Sequence, residues 1–393
     1  MISMNKRFSN IIFISALAVL AIILGINIIN GFRSIEIKDI YGNRSELGDI
    51  DVSVKKSLGS FFLKNYNVGA NSITSKTMFV DEDEQGIDVY KNKDALRGVF
   101  ISEANSYDGK DFLAIANIKY GTNILELLLK DKNTGEIKKA SVKNNGGSQI
   151  IAVYAEKDKI KILMPESEEE ACSLVIKEYN FETKGFNEVE KFGSYCEKVG
   201  LEYKDGNDFY IEKIVRNYNE NKQVEEIKDL NIYKINLKEN TFKDYNIKKI
   251  LEENKIDLTG KILESAECDG NLIYVKISDL DEWEKLAKDE NKIMKYNGIK
   301  SDIPKVYSLA TININDLKVN YYKDIIDENK IEEYTGRITK PINLRIFNNK
   351  LYFASSTENS SLLVIGVANL KNSDLVYLGE INNVRLNGFY DEK

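Results

Sequence analysis

The chain has 393 residues, 55 basic and 62 acidic, with a formal charge of −7 and no histidine. The missing imidazole excludes Ser-His-Asp and Cys-His catalysis, His-ligated zinc and the usual general base near neutrality. The acidic balance, with no long basic cluster, speaks against nucleic acid, which is held through Lys and Arg on its phosphates.

The first element in chain order is the uncharged run 11–29, IIFISALAVLAIILGINII. At about 1.5 Å per residue it spans roughly the hydrocarbon core of a bilayer, and it reads as one transmembrane helix. Lys6 and Arg7 precede it without a nearby acid. The positive-inside tendency therefore places residues 1–10 in the cytoplasm and the rest of the chain outside. The rival reading is a cleaved secretory signal, which wants small residues at a cut site; here the run exits through GINIINGF with no A-x-A pattern. A buried soluble helix is the third reading.

Residues 30–71 read as a membrane-proximal segment with short strands. Ile35, Ile37 and Ile40 alternate, Gly42-Asn43 turns, and Ile50, Val52 and Val54 alternate again. From 72 to 393 a unit recurs: an alternating strand, a turn of Asp-Gly or Asn type, and three more strands. The clearest copies turn at Asp205-Gly206-Asn207, Asp269-Gly270-Asn271 and Asn348-Asn349-Lys350, and looser ones at Asp108-Gly109-Lys110 and Gly146-Gly147. These residue types suit tight hairpins because such turns need positive φ. Four antiparallel strands repeated around an axis make a β-propeller blade. The fold expected is all-β: a propeller of six or seven four-stranded blades preceded by one transmembrane helix, with the Ile35 strand helping to close the ring. Uneven copy spacing is met by helix-like inserts at 246–254 and at 280–294 around Trp283. A pair of β-sandwiches or an irregular solenoid would show the same hairpins.

The anchor at 11–29, the segment IKDIYGNRSELGDIDV beyond it and the blade-like repeats together resemble the single-pass, propeller-type extracytoplasmic proteins of low-GC Gram-positive bacteria. That resemblance implies an extracytoplasmic C-terminal body and carries over no catalytic residue. Asp131-Lys132-Asn133-Thr134-Gly135 is similar to the turn of quinoprotein-type blades, but it occurs once and lacks the following Trp.

Candidate sites are few. Asp81-Glu82-Asp83-Glu84-Gln85-Gly86 is the most metal-like stretch, yet the twelfth residue from Asp81 is Asn92, where a calcium loop wants Glu. A solvated hairpin turn fits better. Glu166 and the acids at 168–170 follow Pro165 and read as an exposed loop. Of the three cysteines, Cys172 and Cys196 could pair outside the cell, although isolated buried thiols fit better. The Trp283 helix reads as a cap on the propeller, or as a partner-binding element.

The sequence therefore predicts no catalytic, cofactor-binding or metal residue and no cofactor. It points to a non-enzymatic, membrane-anchored extracytoplasmic module that binds an envelope or membrane protein, or senses a ligand. The alternatives are a carboxylate-dependent hydrolase of envelope carbohydrate and a regulatory partner of a membrane transporter.

Overall fold

A computed structural model describes residues 35–58, 62–79, 104–119, 122–144, 149–168, 171–195, 198–219, 224–279, 306–336, 339–357 and 362–391. The apolar run 11–29, the acidic stretch 81–86, the Trp283 helix and Cys196 lie outside these residues. Among the described residues, no helix is long and apolar enough to cross a membrane.

The chain forms two compact units, 1–83 with 330–393, and 84–329. It opens with strand β1 (Ile37–Gly42), a 3-10 turn at Arg44–Leu47, and strands β2 (Ile50–Ser57), β3 (Phe62–Val68) and β4 (Ile73–Phe79). The second unit follows with β5 (Ser106–Asp108), β6 (Phe112–Ile118), β7 (Ile124–Asp131) and β8 (Ile137–Lys143). Next come β9 (Ala152–Glu156), β10 (Lys159–Glu168), β11 (Ala171–Asn180) and β12 (Gly185–Tyr195). Then come β13 (Lys198–Asp205), β14 (Asp208–Asn219), β15 (Val224–Asn236), β16 (Thr241–Asn246) and helix α1 (Ile247–Glu253). The unit closes with β17 (Lys261–Asp269), β18 (Leu272–Asp279), β19 (Val306–Asn313) and β20 (Val319–Asp327). Helix α2 (Glu328–Thr335) leads back to the first unit and to β21 (Thr339–Phe347), β22 (Lys350–Thr357), β23 (Leu362–Asn369), β24 (Leu375–Asn382) and β25 (Arg385–Asp391).

The fold is mostly β, in six antiparallel sheets among the described residues. Four belong to the second unit, each a meander of four consecutive strands: β5–β8, β9–β12, β13–β16 and β17–β20. Their strands alternate, so each sheet has two apolar faces. Phe209, Ile211, Tyr233 and Ile235 pack with Ile151, Leu163 and Ile176 of the preceding sheet. The opposite face, through Tyr210, Leu230 and Ile232, packs with Ile273, Val275 and Ile312 of the following one. Helix α1 is capped by Asn246, whose side chain accepts from the Lys249 N–H, and it buries Ile247, Ile250 and Leu251.

The first unit is joined differently. β25 pairs with β2, giving the order β25-β2-β3-β4, while β1 adds a fifth strand to β24 in β1-β24-β23-β22-β21. Each chain end thus completes a sheet begun at the other. Three side chains pin this arrangement. The Tyr377 hydroxyl donates to Asp39 Oδ1 (2.8 Å), the Tyr352 hydroxyl to the Leu47 carbonyl (3.0 Å), and Lys350 to Glu46 Oε2 (2.6 Å). Gly42, at φ +68°, brings its Cα against the Val376 carbonyl, where a side chain would collide.

Residue 72 lies in the β3–β4 hairpin, and β1 and β2 are hydrogen-bonded to C-terminal strands. One expectation changes here. Glu166 and Glu168 lie in a strand and not in a loop. Glu166 lies on β10, pairs with Ser173 and accepts from buried Lys177 (2.9 Å). Pro165 is tolerated in that strand because β9 pairs only as far as Leu163, so no neighbour on that side needs the missing N–H.

Candidate functional site

In every sheet of the second unit, the turn between the first two strands and the turn between the last two lie at the same end. The last-pair turn has one recurring design. Asp131 Oδ1 accepts from the N–H groups of Asn133 (2.8 Å) and Thr134 (3.1 Å). Asn180 does so from Glu182 and Thr183, Asn236 from Glu239, and Asn313 from Asn315. In the first unit Asn369 accepts from Lys371. Four residues after each of these comes a positive φ, at Gly135, Lys184, Asn240, Leu317 and Ser373. The turn that is unique as a sequence string therefore recurs five times as geometry. An Asx side chain that caps its own turn leaves the left-handed position open to any residue that will bear the strain.

At this end of the second unit the first strands present tyrosines and lysines to one another. Tyr107 of β5 meets Tyr154 of β9 edge-on, centroids 5.0 Å apart. Lys204 of β13 lies over both Tyr107 (5.5 Å) and Phe209 (5.4 Å). Buried Lys161 donates to the Lys238 carbonyl and to Asn240 Oδ1, both at 3.0 Å, tying β10 to the next sheet's turn. Lys132 bonds Asp108 and the Gly109 carbonyl, and Asn133 donates to Asp111. Farther along, Tyr203 and Tyr210 lie 5.7 Å apart, and Lys234 joins Asp208 at 2.8 Å.

The electrostatics run one way. Burial, then the Asp111 and Asp108 charges, raises the Tyr107 phenol above its usual range; burial and Glu156 do the same to Tyr154. Tyr203 is raised by burial and then by Asp205 and Asp269. The hydrogen bond that Lys234 donates to Asp208 holds it well above the usual lysine range. The cluster is thus a set of neutral phenol donors flanked by ion pairs, suited to hydrogen bonding and ring contact with a polar partner.

A second polar array comes from the repeated Asp-x-Asn of Asp229/Asn231 and Asp244/Asn246. Asn231 donates to Asp244 (2.8 and 3.0 Å) and Asn246 to Asp229 (3.1 Å). Asp244 stands opposite Tyr233 while Asp229 stands opposite Val215. The two backbone positions are therefore offset by four residues, about 13 Å along the strand, and burial, together with the Asp229 charge, raises the Asp244 carboxyl above its usual range. Among the described residues no group of three or more Cys, Asp or Glu side chains is arranged to hold a metal. Cys268 is a buried thiol, in no disulfide, that points at the Gly270 carbonyl. Cys172 lies on β11 with its backbone opposite Tyr195.

Sequence reasoning located the hairpin turns but not the tyrosine cluster. Its signal is an aromatic close to the first turn in two of the copies, at Tyr107 in one and at Tyr203 and Tyr210 in the other, with lysine alongside at Lys204.

No family model and no curated protein matches the chain. Among solved structures it is similar to cobalt-substituted Synechocystis apocarotenoid oxygenase, at 6% identity and TM-score 0.39 over 87% of this chain and 91% of that one. A prolyl endopeptidase aligns at 10% identity and TM-score 0.37, over 86% of this chain and 44% of its own length. The β-propeller domain of the Trilobed protease from Pyrococcus furiosus aligns at 10% and 0.31, over 87% and 84%. Likeness at this level carries no argument about activity.

Proposed function

We propose that the chain is a membrane-anchored, extracytoplasmic module of a non-enzymatic kind, whose sheets are the blades of a β-propeller and which binds an envelope or membrane protein. The observation that carries this reading is the recurrent sheet end. The Asx-capped turn returns in five sheets, and in the second unit it borders a cluster of tyrosines and paired charges. Repetition of a scaffold with a chemically graded rim suits recognition of a partner, since it offers many contact positions on a rigid frame. The apolar run 11–29 supplies the anchor, and β1 begins a few residues after it. In a ring, β25 would be the inner strand of the first blade and β1 an added outer strand of the last.

The test is affinity capture of the tagged full-length protein from crosslinked membranes, compared with a variant carrying Tyr107→Ala and Lys204→Ala. One envelope or membrane protein captured by the wild type and lost in the variant is the expected result. Turnover of envelope polysaccharide by the purified protein would overturn the non-enzymatic reading.

A further inference from the structure

Tyr41 and Tyr334 form an aromatic pair on the surface of the first unit. Their ring centroids are 4.5 Å apart with the planes inclined by 33°. Tyr41 belongs to β1 and is 37% exposed, and Tyr334 belongs to α2 and is 44% exposed. The other two close tyrosine pairs among the described residues differ on both counts. Tyr107–Tyr154 are inclined at 66° around a Tyr154 only 5% exposed, and Tyr203–Tyr210 lie 5.7 Å apart around a Tyr210 only 2% exposed. Of these pairs, the surface one alone combines closely spaced, tilted rings with access for an oxidant from solvent.

We propose that Tyr41 and Tyr334 are a site of oxidative crosslinking, joined as a dityrosine by a one-electron oxidant such as a peroxide-activated haem or metal centre. Each phenol gives up one electron to the oxidant and one proton to solvent. The two phenoxyl radicals then combine through ring carbons ortho to oxygen, forming one carbon–carbon bond. Each ring regains aromaticity when its ortho hydrogen passes to the phenoxyl oxygen. Two electrons and two protons leave in all, so the product lacks two hydrogen atoms and no backbone bond is cut. Holding the partners in place favours this pair over chance encounters, because a bound neighbour acts at a high effective concentration. The product would tie β1, the strand at the N-terminal edge of its sheet, covalently to α2, and β1 could no longer open without α2.

This inference does not depend on the binding function proposed above. Full-length protein in detergent, kept dilute, is treated with a haem peroxidase and hydrogen peroxide, digested and analysed by mass spectrometry. The expected product is a joined peptide pair containing Tyr41 and Tyr334, lighter by two hydrogens, in roughly tenfold or greater excess over any other intramolecular tyrosine pair. Tyr41→Phe and Tyr334→Phe, which keep the rings, should each abolish it. Amide exchange along β1 should slow in the crosslinked protein and stay unchanged in the treated Phe variants. Coupling between molecules through Tyr390, itself 50% exposed, would show that the oxidant had acted. Such coupling without the Tyr41–Tyr334 product would overturn the proposal, as would a yield no greater than that of the buried pairs.

Discussion

Tyr352 and Tyr377 carry the clearest consequence at the scale of single residues. Burial pushes the Tyr352 phenol up to about 12, with Asp49 and Glu46 adding to it. Burial, and then the hydrogen bond to Asp39, moves Tyr377 up as well. A phenol raised in the folded state and ordinary, at about 10, in the unfolded one stabilises the fold fully below pH 10. That contribution is lost as pH rises from about 10 through about 12. Melting temperature should therefore fall steeply across this window, and Tyr352→Phe should flatten the fall while costing about 1 kcal/mol at neutral pH for its lost bond to the Leu47 carbonyl. A slope unchanged in the variant would remove Tyr352 from the account. Lys177 and Glu166 make a second case. Their side chains are only 9% and 20% exposed. Glu166→Ala should cost roughly 3 kcal/mol in urea unfolding because it strands a buried ammonium, whereas replacing both partners by Leu and Met should recover most of that loss.

Elements explain what could be read ahead of the structure and what could not. Alternation and Asp-Gly or Asn turns located most strands from β5 onward, since positive φ at a tight turn restricts residue choice severely. At β9 and β10 the turn rests on Asp158 at φ 61° between two lysines, with no glycine or asparagine beside it, and that weaker signal does not divide the two strands. Glu166 was misplaced for a related reason: a Pro followed by acids has the composition of a loop, and only pairing reveals a strand whose neighbour has ended. The tyrosine cluster depends on contacts between sheets, which no spacing along the chain encodes. The five Asx turns supply a prediction of their own. Lys184 and Ser373 bear left-handed backbone without being glycine. Lys184→Gly and Ser373→Gly should each raise stability by roughly 0.5–1 kcal/mol through relieved strain, and Asn180→Ala should lower it by about 1 kcal/mol through the lost cap. Chemical denaturation of the three variants would check both signs.

For the molecule as a whole, the exchange of strands between the chain ends matters most. β2 is held on one side by β3 and on the other by β25, and Val52, Val54 and Phe389 share one apolar cluster with Tyr352 and Ile381. Deleting residues 385–393 would leave β2 as a bare edge and open that cluster. The expected result is loss of the first unit with the second retained, seen as a protease-resistant fragment covering roughly residues 84–329. Digestion of both units at equal rates would show instead that they unfold together.

The same exchange bears on how the chain is made. A ribosome delivers β2 long before β25, so their sheet cannot be finished until the four meanders between them have emerged. Four meanders of local hairpins can form in the meantime, each from neighbouring strands that meet quickly. The opening strands must wait with apolar residues such as Val52, Val54 and Tyr66 uncovered. During synthesis β2 and β3 are thus made before those meanders yet mature after them, and they are the strands most in need of a chaperone's cover.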